Sequence, residues 1–178
     1  MHTALRLPES VELEIDGLDV VSQVHIQLNK VERFVNKIHS GEWRGHTGKS
    51  INTIVNIGIG GSHLGPEMVV RALKPYQKKD FNFHFLANLD PDQVDDLFSS
   101  IDPETTLFIV VSKSFGTIET KENALAAKEW LTDKLGAAQA VSKHFVAVSS
   151  QTDKVVEFGI DAENIFEMWD WVGGRYSL

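Results

Sequence analysis

A run of hydroxyl-bearing and small residues, Ser112-Lys113-Ser114-Phe115-Gly116-Thr117, separates an apolar segment from an amphipathic one. Residues 107–111 have the length and composition of a buried strand, and apolar residues recur at helical spacing from 124 to 131. A turn between a strand and a helix exposes free backbone N–H groups at the positive end of the helix dipole. Such a turn suits a bound phosphate group, although it can also be a Ser/Thr-rich cap that binds no ligand.

A glycine-rich loop, residues 58–66, follows an earlier apolar segment that is typical of a strand (residues 54–59). Proline is favoured at the first helical position, so Gly65 and Pro66 predict the start of the next helix. The dinucleotide-binding fingerprint requires glycine where His63 stands and an acidic residue at the end of the second strand, which here ends in Leu86-Ala87-Asn88. Both departures argue against an NAD site. His63 is predicted to be a surface or capping histidine rather than a catalyst or a metal ligand.

The segment from Gly45 to Ser50 ends in Gly-Lys-Ser and so resembles the end of a P-loop. Trp43 occupies the position of the first P-loop glycine, and the segment precedes a predicted strand instead of following one. We therefore predict an ordinary loop here, without a bound nucleotide.

Composition limits the kinds of protein that this chain can be. Its 178 residues, 42% of them apolar, are enough for one domain with a real core. A net charge of −8 argues against nucleic-acid binding, and any anionic ligand must be bound by local features. The chain has no cysteine, no apolar run long enough for a membrane span and no apparent secretory signal, so a cytoplasmic location is expected.

Five short apolar segments alternate with helical patterns and predict an α/β fold, a doubly wound five-stranded parallel sheet with helices on both faces. The expected strand order is 2-1-3-4-5. The domain is expected to span residues 46–178. Residues 1–45, which form an arm and a core-facing helix over 20–39, are expected to pack on it. In this order the loops after strands 1 and 3 meet at the carboxyl ends of the strands, where ligands bind in such sheets. Because one loop is glycine-rich and the other hydroxyl-rich, a phosphate ligand is favoured.

Four segments, in order along the chain, resemble the glucose-6-phosphate isomerase (phosphoglucose isomerase) family: His2–Arg6, Asn56–Pro66, Ser112–Thr120 and Gly173–Ser177. The resemblance is to the first sugar-isomerase (SIS) domain of that family. Ser114 and Gly116 replace two threonines that are usual in the family, and His63 stands where aspartate is common. Ser114 keeps the hydroxyl, and Gly116 can still bind through its backbone.

The resemblance implies interconversion of glucose 6-phosphate and fructose 6-phosphate through an enediolate, in glycolysis and gluconeogenesis, without a metal or cofactor. It implies a homodimeric parent protein and no nucleic-acid or membrane partner. The residues that it places against the phosphate and the sugar are Gly61, Ser62, Ser112, Lys113 (through its backbone), Ser114 and Thr117. Arg175 matches the arginine that stabilises the enediolate.

The family's proton-shuttling glutamate, its ring-opening lysine and a histidine given by the partner subunit would lie beyond Leu178. The resemblance therefore implies a domain truncated at its C-terminal end and inactive alone, whose apolar end, residues 168–178, packs on residues outside the chain. Glu119 and Glu122 are interpreted as partners of the helix dipole rather than as the base. A non-catalytic sugar-phosphate sensor is the alternative, although Gly173-Gly174-Arg175 favours the enzyme.

Overall fold

The computed structural model describes residues 2–174. An arm of one 3₁₀ helix (His2–Arg6) and a two-stranded hairpin (Glu14–Ile15 with Leu18–Asp19) precedes helix α1, Val20–Ser40. Asp19 caps α1 by accepting a hydrogen bond from the N–H of Ser22 (3.2 Å), and Gly41 ends it in the left-handed conformation (φ 73°). The predicted α1 is confirmed, whereas the arm has more regular structure than expected.

A five-stranded parallel sheet forms the centre of the fold. Its strands are β1 (Thr53–Ile57), β2 (Asn82–Leu86), β3 (Thr106–Val111), β4 (Phe145–Ser149) and β5 (Ile165–Glu167). The order is β2-β1-β3-β4-β5, which is the predicted order. Ile57 pairs with both Leu86 and Val110, so the carboxyl ends of the three neighbouring strands are level.

Helices cover both faces of the sheet. They are α2 (Gly61–Ala72), α3 (Pro91–Ser100), α4 (Ile118–Leu135), α5 (Val141–His144) and α6 (Thr152–Phe158), with 3₁₀ turns at Lys74–Tyr76, Ala138–Ala140 and Ala162–Asn164. The larger core joins β1–β5 to α3, α4 and α6, and the smaller one joins the other face to α1. Among the helices of residues 2–174, none is both long and apolar enough to cross a membrane.

Helix α1 faces the core over only part of its predicted apolar surface. Val20, Val21, Val24 and Ile38 are buried, whereas the apolar residues Ile26, Leu28, Val31 and Val35 are exposed. The helix packs against the N-terminal 3₁₀ helix and β5, and residues that face away from these two elements remain uncovered. The prediction of a continuous core-facing stripe was therefore wrong in the middle of the helix.

Helix α2 begins at Gly61 and not at Pro66, which lies inside it. Proline has no N–H to donate to the carbonyl four residues earlier, here that of Ser62. The side-chain amide of Asn56 donates to this carbonyl instead (3.0 Å). Because a contact from β1 satisfies the Ser62 carbonyl, the helix continues through the proline, and the sequence rule for its start fails.

The described part of the C-terminal segment packs well, contrary to expectation. Trp169 stacks on Trp171 (centroids 5.0 Å apart) and donates from its indole N–H to the side chain of Gln23 (3.1 Å). Val172 is buried, and the N–H of Gly173 donates to His2 Nε2 (2.7 Å). The arm and α1 thus cover this segment, while Tyr176 and Leu178 lie outside the described residues.

A buried histidine fastens the loop before β1 to the rest of the sheet. His144 Nδ1 lies 2.6 Å from the carbonyl of Thr106, and His144 Nε2 accepts a hydrogen bond from the N–H of His46 (2.8 Å). A Cβ on Gly45 would lie only 2.7 Å from the ring, so only glycine permits this approach. Nδ1 therefore carries the proton of a neutral imidazole, and burial, the largest cause, lowers the pKa of His144.

We predict that the free energy of unfolding falls as the pH drops from 7 to 5. The lowered pKa of His144 means that the unfolded chain binds a proton first, below about pH 6.5. The stability that neutral His144 provides is present above this pH and is lost below it, by at most about 1.4 kcal/mol per pH unit. His144→Asn should reduce this slope in urea unfolding measured at several pH values. Identical slopes for both proteins would contradict the prediction.

Candidate functional site

The loop that follows β1 begins against the last residue of β3, at the carboxyl edge of the sheet. A Cβ added to Gly58 would lie 2.8 Å from the carbonyl oxygen of Ser62 and 3.0 Å from that of Val111. Both oxygens belong to the backbone and cannot move aside cheaply, so glycine is required at this position. The two loops therefore start from neighbouring strand ends, as the predicted strand order requires.

The hydroxyl-rich loop presents an anion-binding arrangement to solvent. Ser114 and Gly116 are exposed, and Thr117 is the N-cap residue of α4 but makes no capping hydrogen bond with its side chain. Within residues 2–174, the backbone N–H groups of Lys113, Ser114, Gly116 and Thr117 donate to no protein acceptor. Free N–H groups, free hydroxyls and the dipole of an 18-residue helix favour a bound anion together.

Hydrogen bonds to the carbonyl of Lys113 fix this loop. That oxygen accepts from the N–H of Ser150 (3.1 Å) and from the hydroxyls of Ser149 (3.2 Å) and Ser150 (2.9 Å). The Lys113 ammonium donates to the carbonyl of Asp170 (2.9 Å). The side chain of Lys113 is therefore engaged with another segment, and only its backbone N–H remains for a ligand.

Ser112 occupies a different place from the other hydroxyl residues of the loop. Its Oγ is buried and, like Thr120 Oγ1, has no hydrogen-bond partner in the described part of the chain. Both residues line an internal cavity of about 10 Å³, together with Phe115, and this volume suits a single water molecule. The structure thus brings the hydroxyls of Ser114 and Thr117 to the surface and places that of Ser112 beneath the loop.

Lys154 is a site residue that the sequence analysis missed. It lies in the first turn of α6, and its ammonium donates to the carbonyl of Ser114 (3.2 Å). Helix α6 begins at Thr152, three residues after the end of β4, which places this turn at the same edge of the sheet. No pattern in the sequence predicts that the Lys154 side chain is directed toward residue 114.

Gly61 and Ser62 form the first turn of α2, beside the hydroxyl-rich loop. The N–H of Ser62 donates to the carbonyl of Ile59 (3.2 Å) and the N–H of Leu64 to that of Gly60 (2.8 Å). Gly60 is the N-cap with a positive φ of 59°, a conformation that glycine adopts without strain. The N–H groups of Ser62 and Leu64 are therefore used within the turn. Gly61 and Ser62 lie at the same edge of the sheet as the start of the second loop.

His63 is neither a simple surface residue nor a cap. Its Nε2 lies 3.2 Å from a carboxylate oxygen of Glu67, and its side chain is only 18% exposed. Arg71 donates to the other oxygen of the same carboxylate (2.6 Å), and Phe85 meets the histidine ring edge-on (5.7 Å). These contacts join His63, Glu67 and Arg71 along α2. The prediction of a surface or capping histidine was wrong because it overlooked Glu67, four residues further on.

The P-loop-like segment has no role at this edge. Lys49 forms ion pairs with Asp102 (3.7 Å) and Glu104, and the hydrogen bond with Glu104 raises the pKa of Lys49. The segment precedes β1 and so lies at the amino edge of the sheet, opposite the two loops. Arg175 lies outside the described residues, and residues 2–174 contain no cluster of three or more potential metal ligands among His, Cys, Asp and Glu.

Comparison with known proteins agrees with this geometry. The family described as phosphoglucose isomerase matches residues 1–178. The glucose-6-phosphate isomerases of Shewanella amazonensis and Rhodococcus opacus are each 55% identical over 179 residues and align with the whole chain. A crystal structure of a glucose-6-phosphate isomerase from Chlamydia trachomatis superimposes with a TM-score of 0.78 at 29% identity, covering 99% of this chain and 32% of that one.

The chain spans about a third of the length of these relatives, 33% and 32% of the two proteins. A hypothetical protein from Thermus thermophilus shares the fold less closely, with a TM-score of 0.68 and 26% identity over 85% of this chain. The family match over every residue and the identity to the relatives lead to the same assignment. The chain belongs to the phosphoglucose isomerase family.

Proposed function

We propose that this chain binds the phosphate of a hexose phosphate and contributes that site to the interconversion of glucose 6-phosphate and fructose 6-phosphate. The observation that carries the proposal is the set of free N–H groups and hydroxyls at the start of α4, from Lys113 to Thr117. Fixed donors at a helix N-terminus compensate a phosphate dianion even though the net charge of the chain is −8.

The sugar then extends from the phosphate toward Gly61 and Ser62, because the two loops start from neighbouring strands at the same edge of the sheet. The buried Ser112 hydroxyl acts in this proposal through the loop that it underlies, whereas Ser114 and Thr117 donate to the phosphate directly. Lys154 adds a positive charge beside the carbonyl of Ser114. Anchoring the phosphate in this way holds the reacting carbons at a fixed distance from the loop.

Isomerisation moves a proton between adjacent carbons and requires a carboxylate base and a cation for the developing oxyanion. We assign the cation to Arg175 and leave the base to the part of the family's polypeptide that the resemblance places beyond Leu178. The proposal includes a homodimeric, cytoplasmic parent enzyme without metal, cofactor, nucleic-acid or membrane partners.

Loss of the loop hydroxyls should weaken phosphate binding. We expect Ser114→Ala combined with Thr117→Ala to weaken the binding of fructose 6-phosphate by roughly tenfold or more, because each charge-assisted hydrogen bond contributes about 1.5–3 kcal/mol. Isothermal titration calorimetry measures this change. The matched control is Lys49→Ala, which removes the lysine of the P-loop-like segment and should leave the affinity unchanged. A larger loss in the control would move the site to residues 45–50.

The 178-residue chain should bind fructose 6-phosphate without converting it. A coupled assay of aldose and ketose interconversion is expected to give a rate more than a hundredfold below an ordinary enzyme's kcat of about 10 s⁻¹. Calorimetric binding in the same preparation serves as the control for a folded site. A rate near the ordinary value would instead make Glu119 or Glu122 the candidate base.

Arg175 should act on the rate more than on binding. In a full-length relative, replacing the arginine that corresponds to Arg175 with alanine is expected to lower kcat by roughly 10²–10³, as for one oxyanion-stabilising donor. KM should change little, because the phosphate is bound elsewhere. Lysine at this position should restore part of the rate, since it lacks the planar guanidinium. A wild-type kcat with a raised KM would assign the arginine to substrate binding alone.

A further inference from the structure

A groove of about 510 Å³ lies at the amino edge of the sheet, at the opposite end of the strands from the phosphate-binding loop. It is formed by the second half of α1, by residues 42–44 before β1 and by residues just before β4 and β5. Five cations line it: Lys30, Arg33, Lys37, Arg44 and Lys143. The carboxylates in the lining are Glu42 and Glu163, so the groove carries an excess of positive charge on an acidic protein.

Local partners account for only some of these cations. Lys37 lies 3.7 Å from Glu42, and Arg44 donates to the carbonyl of Gly48 (2.9 Å). Among the described residues, Arg33 and Lys143 form no ion pair with a carboxylate. Among the described residues, Lys37 is the groove cation with an ion pair, Lys30 and Arg44 donate to uncharged carbonyl groups, and the charged groups of Arg33 and Lys143 have neither kind of partner. Arg33 and Lys143 approach the groove from two different helices.

Aromatic packing keeps the groove open and its cations apart. Phe34 meets Trp43 and Phe166 edge-on, with centroids 5.1 and 5.2 Å away. The Lys143 ammonium lies 5.6 Å from the centre of the Trp43 ring, whose indole N–H donates to the carbonyl of Lys143 (3.0 Å). These contacts fix Lys143 beside Trp43 before any ligand binds, so this part of the site is preformed.

We propose that this groove binds a small polyphosphate anion, at a site separate from the phosphate-binding loop. The volume greatly exceeds that of one phosphate group, and the cations come from three segments, so a single phosphate cannot reach all of them. An extended anion with two or three linked phosphates can contact Arg33 and Lys143 together. The ammonium of Lys30 already donates to the carbonyl of Ile165 (2.6 Å) and adds positive charge to the floor.

Tripolyphosphate is the probe, titrated by calorimetry into the chain that carries Ser114→Ala and Thr117→Ala, in which the phosphate-binding loop has lost two hydroxyls and keeps its backbone N–H groups. We expect binding to persist in this background. Adding Arg33→Glu and Lys143→Glu should raise the Kd roughly tenfold or more, and the affinity should fall steeply with added salt. Near-ultraviolet circular dichroism verifies folding, and the milder pair Arg33→Gln and Lys143→Gln should give an intermediate Kd.

The matched control adds Lys79→Glu and Lys134→Glu, which change the net charge equally at exposed positions outside the groove. Its Kd should stay near the starting value. An equal loss in this control would mean a general field effect and would overturn the site. Absence of binding in the Ser114→Ala, Thr117→Ala background, or tighter binding of an octaglutamate peptide than of tripolyphosphate, would overturn it too. Because the phosphate-binding loop is the same in all the variants compared here, failure of the groove to respond leaves the proposed function untouched.

Discussion

The close approach of two backbone segments at Gly58 is the constraint on which the site depends. Parallel pairing of β1 with β3 brings the loop after each strand to the same edge, and the carbonyls of Ser62 and Val111 leave no room for a side chain between them. With any other residue at 58, α2 or the hydroxyl-rich loop would have to shift. The N–H groups at the starts of α2 and α4 would then no longer point toward one ligand position. This matters because free N–H groups bind an anion only from fixed directions.

The interruption of α2 by Pro66 depends on the same corner of the molecule. The proline frees the carbonyl of Ser62, and Asn56, at the end of β1, supplies the missing donor. Asn56 is nearly buried, so its amide also needs this partner. The polar side chain of Asn56 and the proline inside α2 therefore depend on one hydrogen bond, which couples β1 to the first turn of α2.

The sequence was sufficient to predict the order of the strands and the two loops that meet, because hydrophobic period and glycine-rich turns are local signals. It failed where a distant residue changes a local rule. Pro66 marks a helix start only if the Ser62 carbonyl has no other hydrogen-bond donor. The apolar pattern of α1 does not show which part of the helix packs against the sheet. The burial of Ser112 and the approach of Lys154 likewise depend on packing between segments far apart in sequence.

The two edges of the sheet attract anions by different physical means. At the carboxyl edge, backbone N–H groups and short hydroxyl side chains lose little conformational entropy on binding, and their dipoles cannot be titrated. At the amino edge, long lysine and arginine side chains supply full charges that salt screens readily. In the function proposed above, a phosphate at the start of α4 is therefore selected by geometry. The proposed groove lined by Arg33 and Lys143 would instead respond to the total charge of its ligand. Both proposals rest on local features of a chain whose net charge is −8.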